Sequence, residues 1–428
     1  MLLHYLIAVT TLTVVLGLGS RLLSGVPVSE PMIALTVGIV LGPQLFGYLE
    51  IPSARHEIFL ILTRVLLSFT VMTAALRYPT QVVRSSVRPV AVLLVVVLPL
   101  MVATGTALAA GVLGLGWSAA FVLGAVLGPT DPVLVSSVVS GDSAERSLPL
   151  RLRSALSLES GANDGIGFFF VATALYAAQR HTTSWWGLHA VGGIVGGIAV
   201  GVVVGTVTGR LVEWTRRLGH QTDATFLLFS LTFSLFVLSI CVAIGLDGIL
   251  AVFVAGIAYS RAIGEDNRRE QHTVEEGVDR LLLLPVFVLL GASLPWEDWT
   301  ALGWKAIAFV ALLLALRRLP WLVLAGGLMS LRLRERLWMG WFGPIGIAAL
   351  FYASRSQDEG EPARVIWAVV TLVVATSTLV HGASALPERG LGRLITRDAQ
   401  NDRRTATVVD HVRPRRSDPP SVMTDSDE

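Results

Sequence analysis

Two stretches of the sequence place acidic side chains inside apolar runs. In the first, Thr130 and Asp131 lie between Pro129 and Pro132. A proline has no N–H to donate and clashes with the carbonyl four residues earlier, so a helix breaks here and frees carbonyls for other partners. An aspartate in the middle of a membrane costs roughly 2.5 to 3.5 kcal/mol and usually serves function. We therefore predict a broken helix with an oxygen-rich site; the alternative is a kinked helix whose Asp131 forms a salt bridge.

The second stretch runs from Glu159 to Asp164. On a helix, Ser160 and Asp164 share one face because they are four residues apart, and Glu159 and Asn163 share an adjacent face for the same reason. Two carboxylates in the first half of one apolar helix are hard to explain by packing alone.

Hard oxygen ligands of this kind suit a small alkali cation. We predict a single cation- and proton-binding site formed by four side chains: Asp164, Asp131, Ser160 and Thr130. A proton and a monovalent cation would compete for the same oxygens, and a site presented alternately to each side would exchange one for the other. This exchange needs no cofactor, and the sequence has no Gly-x-x-x-x-Gly-Lys-Ser/Thr stretch typical of ATP binding.

Two neighbouring arginines, Arg317 and Arg318, lie near the centre of a later apolar run. Arginine keeps its charge in proteins, so at that depth it must pair or face a watery cavity. Glu159 is the natural partner because it points away from the Asp164 face. The sequence leaves open which arginine forms the pair, and a later start of the helix would make both arginines interfacial.

The composition places these runs in a membrane. Of the 428 residues, 53% are hydrophobic and 15% are charged, whereas soluble domains contain about a quarter charged residues. A helix needs about 20 mostly apolar residues to cross a bilayer. We predict an all-α polytopic membrane protein with about thirteen spans, near residues 3–20, 28–46, 57–76, 89–113, 118–139, 155–179, 187–211, 223–244, 247–262, 280–294, 302–329, 338–354 and 364–386.

Basic residues are concentrated in every second predicted loop, as is typical of cytoplasmic loops. Each of these loops carries three arginines: Arg77, Arg84 and Arg88; Arg146, Arg151 and Arg153; Arg210, Arg216 and Arg217; Arg261, Arg268 and Arg269; Arg332, Arg334 and Arg336. With thirteen spans, this alternation predicts an outside N-terminus and a cytoplasmic C-terminus. We expect the protein to lie in the plasma membrane.

A second interruption occurs in the twelfth predicted span, at Gly343, Pro344 and Gly346. Transporters with inverted repeats place discontinuous helices at corresponding positions of their two halves. The fifth and twelfth spans are seven apart in a chain of thirteen. We predict inverted repeats whose two discontinuous helices cross at the membrane midplane.

The chain is predicted to form a transmembrane domain over residues 1–386, with core transport helices near 89–179 and 302–386 and scaffold helices among the rest. Residues 387–428 are rich in Arg, Asp, Pro and Ser without apolar periodicity. This composition predicts a disordered cytoplasmic tail.

Together these motifs resemble the cation:proton antiporter superfamily, most closely its sodium/proton exchanger (NhaP-like) branch. The resemblance is carried by Thr130-Asp131-Pro132 and Glu159-Ser160-Gly161-Ala162-Asn163-Asp164-Gly165 on successive spans, supported by Gly248–Gly256 and Arg317. It implies a homodimer, elevator-like alternating access and a role in pH homeostasis. It also implies that Asp164 binds the ion or proton, and that Glu159, Asn163, Arg317 and Pro132 support the site.

The predicted function is exchange of a monovalent cation for a proton, with Na+ as first choice and Li+ or K+ left open. By the resemblance, the Asn163–Asp164 pair implies electroneutral exchange. Two departures leave the ion preference open: Ile345 stands where many relatives have a basic residue, and the third span offers only hydroxyl side chains where some relatives have an acidic ligand.

Two other functions fit parts of the pattern. An intramembrane aspartyl protease also uses two aspartates on neighbouring spans, but its Gly-x-Gly-Asp motif is replaced here by Gly161-Ala-Asn-Asp164. A channel or sensor on the same fold would keep the helices without exchange, which the intact aspartate pair disfavours. We therefore expect a transporter rather than an enzyme, with the bilayer and a second copy of the chain as partners and no nucleic acid.

Overall fold

A computed structural model describes residues 2–23, 28–52, 54–131, 134, 148–178, 186–219, 223–246, 248–263, 265–356 and 363–384. Throughout these ranges the regular structure is helical. The α-helices in chain order are α1 (Leu2–Leu23), α2 (Glu30–Leu41), α3 (Arg55–Leu76), α4 (Thr80–Val92), α5 (Leu98–Leu113), α6 (Trp117–Val126), α7 (Leu150–Ala178), α8 (Trp186–Arg217), α9 (Asp223–Ala243), α10 (Gly248–Ser260), α11 (Glu265–Ala292), α12 (Trp296–Leu302), α13 (Trp304–Leu316), α14 (Leu319–Ala325), α15 (Leu333–Trp341), α16 (Ile347–Arg355) and α17 (Ala363–Ser384).

Membrane-spanning length is reached by only some of these helices. Within the described ranges, five segments are long and apolar enough to cross a bilayer: Arg55–Leu76, Thr80–Leu113, Val191–Arg217, Trp304–Met329 and Ala363–Ser384. A sixth spanning segment is present if the helices Arg268–Ala292 and Trp296–Leu302, which meet at a bend of 63°, count as one span. Other apolar helices are shorter, α6 and α10 among them. The structure therefore supports a multi-pass helical protein, and thirteen spans stays a prediction.

Two predicted span starts lie far inside longer helices. The segment predicted at 280–294 belongs to α11, which begins at Glu265, and the segment predicted at 89–113 is continuous with α4 from Thr80. Arginines that were predicted in loops therefore lie on helices: Arg84 and Arg88 on α4, Arg151 and Arg153 on α7, Arg216 and Arg217 on α8, Arg268 and Arg269 on α11, and Arg334 and Arg336 on α15. Their position on the cytoplasmic side stays a prediction. Arg268 is buried, and its guanidinium donates to the carbonyl of Leu76. Hydropathy along the chain does not reveal this contact with α3.

Close backbone contact fixes α11 against α2. A Cβ placed on Gly38 would lie 2.2 Å from the carbonyl oxygen of Val288, and one on Gly291 would lie 2.2 Å from that of Leu35. Small residues at such a crossing let two helices approach closely in a membrane. The crossing holds the apolar half of α11 firmly in the bundle, and with it the polar half that precedes it in sequence.

Some predicted features lie outside the described residues. They include Pro132, Arg146, most of the second half of the fifth predicted span, and the predicted tail at 387–428.

Candidate functional site at two helix breaks

Two non-helical segments, residues 127–131 and 342–346, meet in the bundle and are called the two breaks. Helix α6 ends at Val126, and the residues that follow as far as Asp131 are not helical. The second interruption separates α15 from α16 and contains Pro344. The backbone N–H of Asp131 donates to the carbonyl of Pro344 over 2.9 Å. The two breaks, far apart in sequence, are therefore joined by a direct hydrogen bond.

The Asp131 carboxylate lies at the start of α16. It accepts a hydrogen bond from the backbone N–H of Ile347, the first residue of that helix, and another from the N–H of Leu134 at 3.1 Å. The N-terminus of a helix carries partial positive charge and favours an anion. Asp131 is only 1% exposed, so these backbone dipoles replace water around a buried carboxylate.

The polar face of α7 covers the first break. The Ser160 hydroxyl donates to the carbonyl of Thr130 at 2.7 Å, and the Asn163 amide donates to the Thr130 hydroxyl at 2.8 Å. The backbone N–H of Thr130 in turn donates to the Asn163 oxygen at 3.4 Å. Of the four predicted ligands, the structure thus brings Thr130 and Ser160 into direct contact beside Asp131.

Asp164 lies one helical turn after Ser160 and is fully buried. Its backbone carbonyl accepts a hydrogen bond from the Tyr352 hydroxyl on α16. One turn further on, a Cβ on Gly167 would lie 2.5 Å from the Pro129 ring, so this face of α7 packs directly on the break. The sequence analysis did not predict a role for Tyr352, because no neighbouring residue in the chain indicates that its hydroxyl bonds to α7.

The ion pair that the sequence left open forms at Arg318. Its two terminal nitrogens each lie 3.0 Å from one oxygen of Glu159, a bidentate arrangement. Glu159 also accepts a hydrogen bond from the Asn163 amide at 2.9 Å. Both partners are almost completely buried, at 2% and 1% exposure.

Arg317 has a different role from its neighbour. One terminal nitrogen donates to the carbonyls of Leu127, Gly128 and Pro129, at 2.5, 2.9 and 3.2 Å, and the other donates to the carbonyl of Gly343. The carbonyls freed by the first break therefore find a buried cation, as backbone groups away from water must. Arg317 holds the two breaks together rather than pairing with Glu159.

The formal charges around the breaks leave one negative charge in excess. Three carboxylates, those of Asp131, Glu159 and Asp164, and two guanidinium groups, those of Arg317 and Arg318, are all buried. Three negative and two positive charges sum to −1. Because Glu159 is already paired, a single proton or a single monovalent cation at the aspartates would neutralise the site.

Sequence comparison matches most of the chain. The profile of the family described as "Sodium/hydrogen exchanger, transmembrane" matches residues 7–387. A probable Na(+)/H(+) antiporter of Schizosaccharomyces pombe is 29% identical over 393 residues, covering 83% of this chain and 52% of that protein. The K(+)/H(+) antiporter NhaP2 of Shewanella sp. is 25% identical over 285 residues, covering 65% of this chain and 48% of that protein. The chain thus spans about half the length of these relatives.

Structural comparison finds the same helical arrangement elsewhere. The sodium proton antiporter MjNhaP1 of Methanocaldococcus jannaschii, in its structure at pH 8, superposes with a TM-score of 0.73 at 16% sequence identity. The match covers 88% of this chain and 97% of that one. At this identity the match shows the fold alone.

Proposed function

Because the chain belongs to the sodium/hydrogen exchanger family, we propose that it is a secondary antiporter that exchanges a monovalent cation for a proton across a membrane. Relatives named as Na(+)/H(+) and K(+)/H(+) antiporters support this activity, and Na+ is the first choice of cation. The family consists of transporters, so the protease alternative is set aside.

The observation that carries the proposal is the single excess negative charge at the helix breaks. In this mechanism, Asp164 and Asp131 bind the cation with the Ser160 and Thr130 oxygens as further ligands, or one of the aspartates binds a proton. Glu159 and Arg317 keep their charges and their partners throughout. One cation replaces one proton, so no net charge crosses the membrane in a full cycle and exchange is electroneutral.

Alternating access would move the two breaks as one body. Arg317 donates to carbonyls of both breaks, and Asp131 bonds to Pro344 and Ile347, so this group resists internal distortion. In our proposal it slides with α7 against scaffold helices, as in an elevator. We also propose that the chain has thirteen spans arranged as inverted repeats, with discontinuous helices that cross at the membrane midplane. The protein would form a homodimer in the plasma membrane. Its N-terminus would lie outside and its C-terminus in the cytoplasm.

The activity can be tested with purified protein in liposomes that hold an imposed pH gradient and a pH-sensitive dye. Addition of Na+, Li+ or K+ is expected to dissipate the gradient, and the most effective ion is the substrate. Clamping the membrane potential at zero or at a large value with valinomycin and K+ should leave the Na+-dependent rate unchanged, because exchange is electroneutral. Absence of any cation-dependent signal from folded protein would refute the antiporter proposal and favour a sensor.

Substituting Gly346 by alanine is expected to lower the apparent cation affinity at least about tenfold, since sub-ångström placement of binding groups matters this much. A Cβ there would lie 2.2 Å from Oδ2 of Asp131. The expected effect comes from displacement of this carboxylate by the added methyl group. The measurement is the cation concentration for half-maximal dequenching.

The matched control is Gly111→Ala on α5, where an added Cβ meets nothing within 4 Å. Equal cation affinities in the two variants would show that the position of the Asp131 carboxylate is not critical.

A further inference from the structure

A second set of ionisable residues, all buried except the half-buried His272, lies on one face of α11. Arg268, His272, Glu275 and Asp279 follow each other at helical spacings of four, three and four. Glu275 is 0% exposed and Asp279 5%. These residues were missed from the sequence because the span was predicted to begin at residue 280, which placed them in a loop.

The basic end of this face is held by other partners. Arg268 donates to the carbonyl of Leu76. Arg77, which follows α3, directs its guanidinium towards His272 at 3.3 Å and donates to the Ser157 hydroxyl at 3.0 Å. These contacts anchor the first turns of α11 to α3 and α7.

The acidic end differs. Thr73 of α3 and Ser230 of α9 face the Glu275 carboxylate, and Asp279 lies one turn further along α11. Within the described part of the chain, neither Glu275 oxygen, nor Oδ1 of Asp279, nor the Ser230 hydroxyl forms a hydrogen bond of normal length and angle. The Thr73 hydroxyl gives its proton to the carbonyl of Phe69 at 3.0 Å, which leaves its oxygen lone pairs available.

Buried polar groups are nearly always satisfied, so an unsatisfied cluster calls for an explanation such as a bound ion. The Ser230 hydroxyl is an independent indication because it comes from a different helix, is fully buried and points at the same space. Carboxylate and hydroxyl oxygens are hard ligands suited to a cation. The charged groups that interact with Asp279 from elsewhere are Arg77, Glu276 and Asp131.

We propose that Glu275 and Asp279, with the hydroxyl oxygens of Thr73 and Ser230, form a second binding site for a monovalent cation, separate from the aspartates at the helix breaks. A single positive charge is favoured over a divalent ion by the balance of charge. The two carboxylates carry −2, and the nearby Arg77 guanidinium carries +1. The remaining charge of −1 is neutralised by one monovalent cation.

The proposed site is linked to the breaks through two packed helices. Helix α3, which carries Thr73, packs on α7, where a Cβ on Gly161 would be 2.9 Å from the Ala74 side chain. The Asp131 carboxylate also acts electrostatically on Asp279. In the proposed antiport, a cation held by Glu275 and Asp279 would wait there before it reaches the breaks. This role as a waiting position rests on the proposed antiport, whereas binding itself does not.

The test is equilibrium binding of radiolabelled Na+, with Rb+ as the K+ analogue in a parallel set, to purified protein in detergent. The starting variant is Asp131→Asn with Asp164→Asn, which removes the first site. It is expected to retain about one bound cation per chain. Adding Glu275→Gln should abolish this residual binding, and adding Ser230→Ala should weaken it several-fold while perturbing the fold little.

Glu276→Gln, added to the same starting variant, is the matched control. Glu276 is the next residue on α11, and its carboxylate forms a partly exposed ion pair with Arg280 at 3.1 Å. Residual binding should survive this change.

Two results would overturn the second site: no cation bound by the starting variant, or equal binding after Glu275→Gln and Glu276→Gln. Failure of the wild type to exchange cations in liposomes, with residual binding intact, would instead refute the proposed antiport and leave the second site standing.

Discussion

Replacing Asp164 by asparagine is expected to reduce cation-dependent proton exchange at least about a hundredfold. The change removes the one excess negative charge among the five buried ionisable groups. A cation entering the variant would then leave a buried site with a net positive charge. A buried charge without a counter-charge costs several kcal/mol in a low-dielectric interior. A loss of about 2.7 kcal/mol in binding free energy corresponds to a hundredfold weaker affinity. The measurement is dye dequenching in liposomes for each alkali cation.

Asp298→Asn provides the same chemical change at a position without this role. Asp298 forms an exposed ion pair with Arg364 at 2.6 Å, and its variant should exchange like the wild type. A folded Asp164→Asn protein that still dissipates the pH gradient at a comparable rate would show that the exchanging group lies elsewhere.

Replacing Arg318 by methionine is expected to destabilise the fold by about 3 to 5 kcal/mol, because it leaves Glu159 charged, buried and without its bidentate partner. Glu159 is 1% exposed, so water cannot compensate. The melting temperature in detergent should fall markedly. Adding Glu159→Leu to Arg318→Met should restore most of that loss, since replacing a buried pair by apolar groups is often nearly neutral.

The control for this pair is Arg364→Met. Arg364 is 78% exposed in its ion pair with Asp298, and surface pairs contribute only about 0 to 1 kcal/mol. Equal melting temperatures for Arg318→Met and Arg364→Met, or a double variant no more stable than Arg318→Met, would show that the buried pair does not support the site.

Several features of the site followed from local rules. Pro129 and Pro344 mark the helix breaks because a proline removes a backbone donor wherever it falls. Ser160 shares a face with Asp164 because the helical period is the same in every protein. The high apolar content predicted a membrane protein, and the paired motifs predicted its family, which the sequence comparison confirms.

Other features depended on contacts between segments far apart in the chain. Arg317 and Arg318 are adjacent and chemically identical, yet one donates to carbonyls of both breaks and the other pairs with Glu159. The choice is decided where α13 ends at Leu316 and α14 begins at Leu319, which directs the two side chains to different neighbours.

The sequence by itself determined that helical structure stops before Pro129 and before Pro344, which α7 residues share a face and which family the chain belongs to. The tertiary structure decided which arginine neutralises Glu159 and showed that Glu275 is buried rather than in a loop. Helical period and proline geometry act within a few residues, so they can be read along the chain. Burial of a charge depends on whichever helix packs against it, and for Glu275 those helices are α3 and α9.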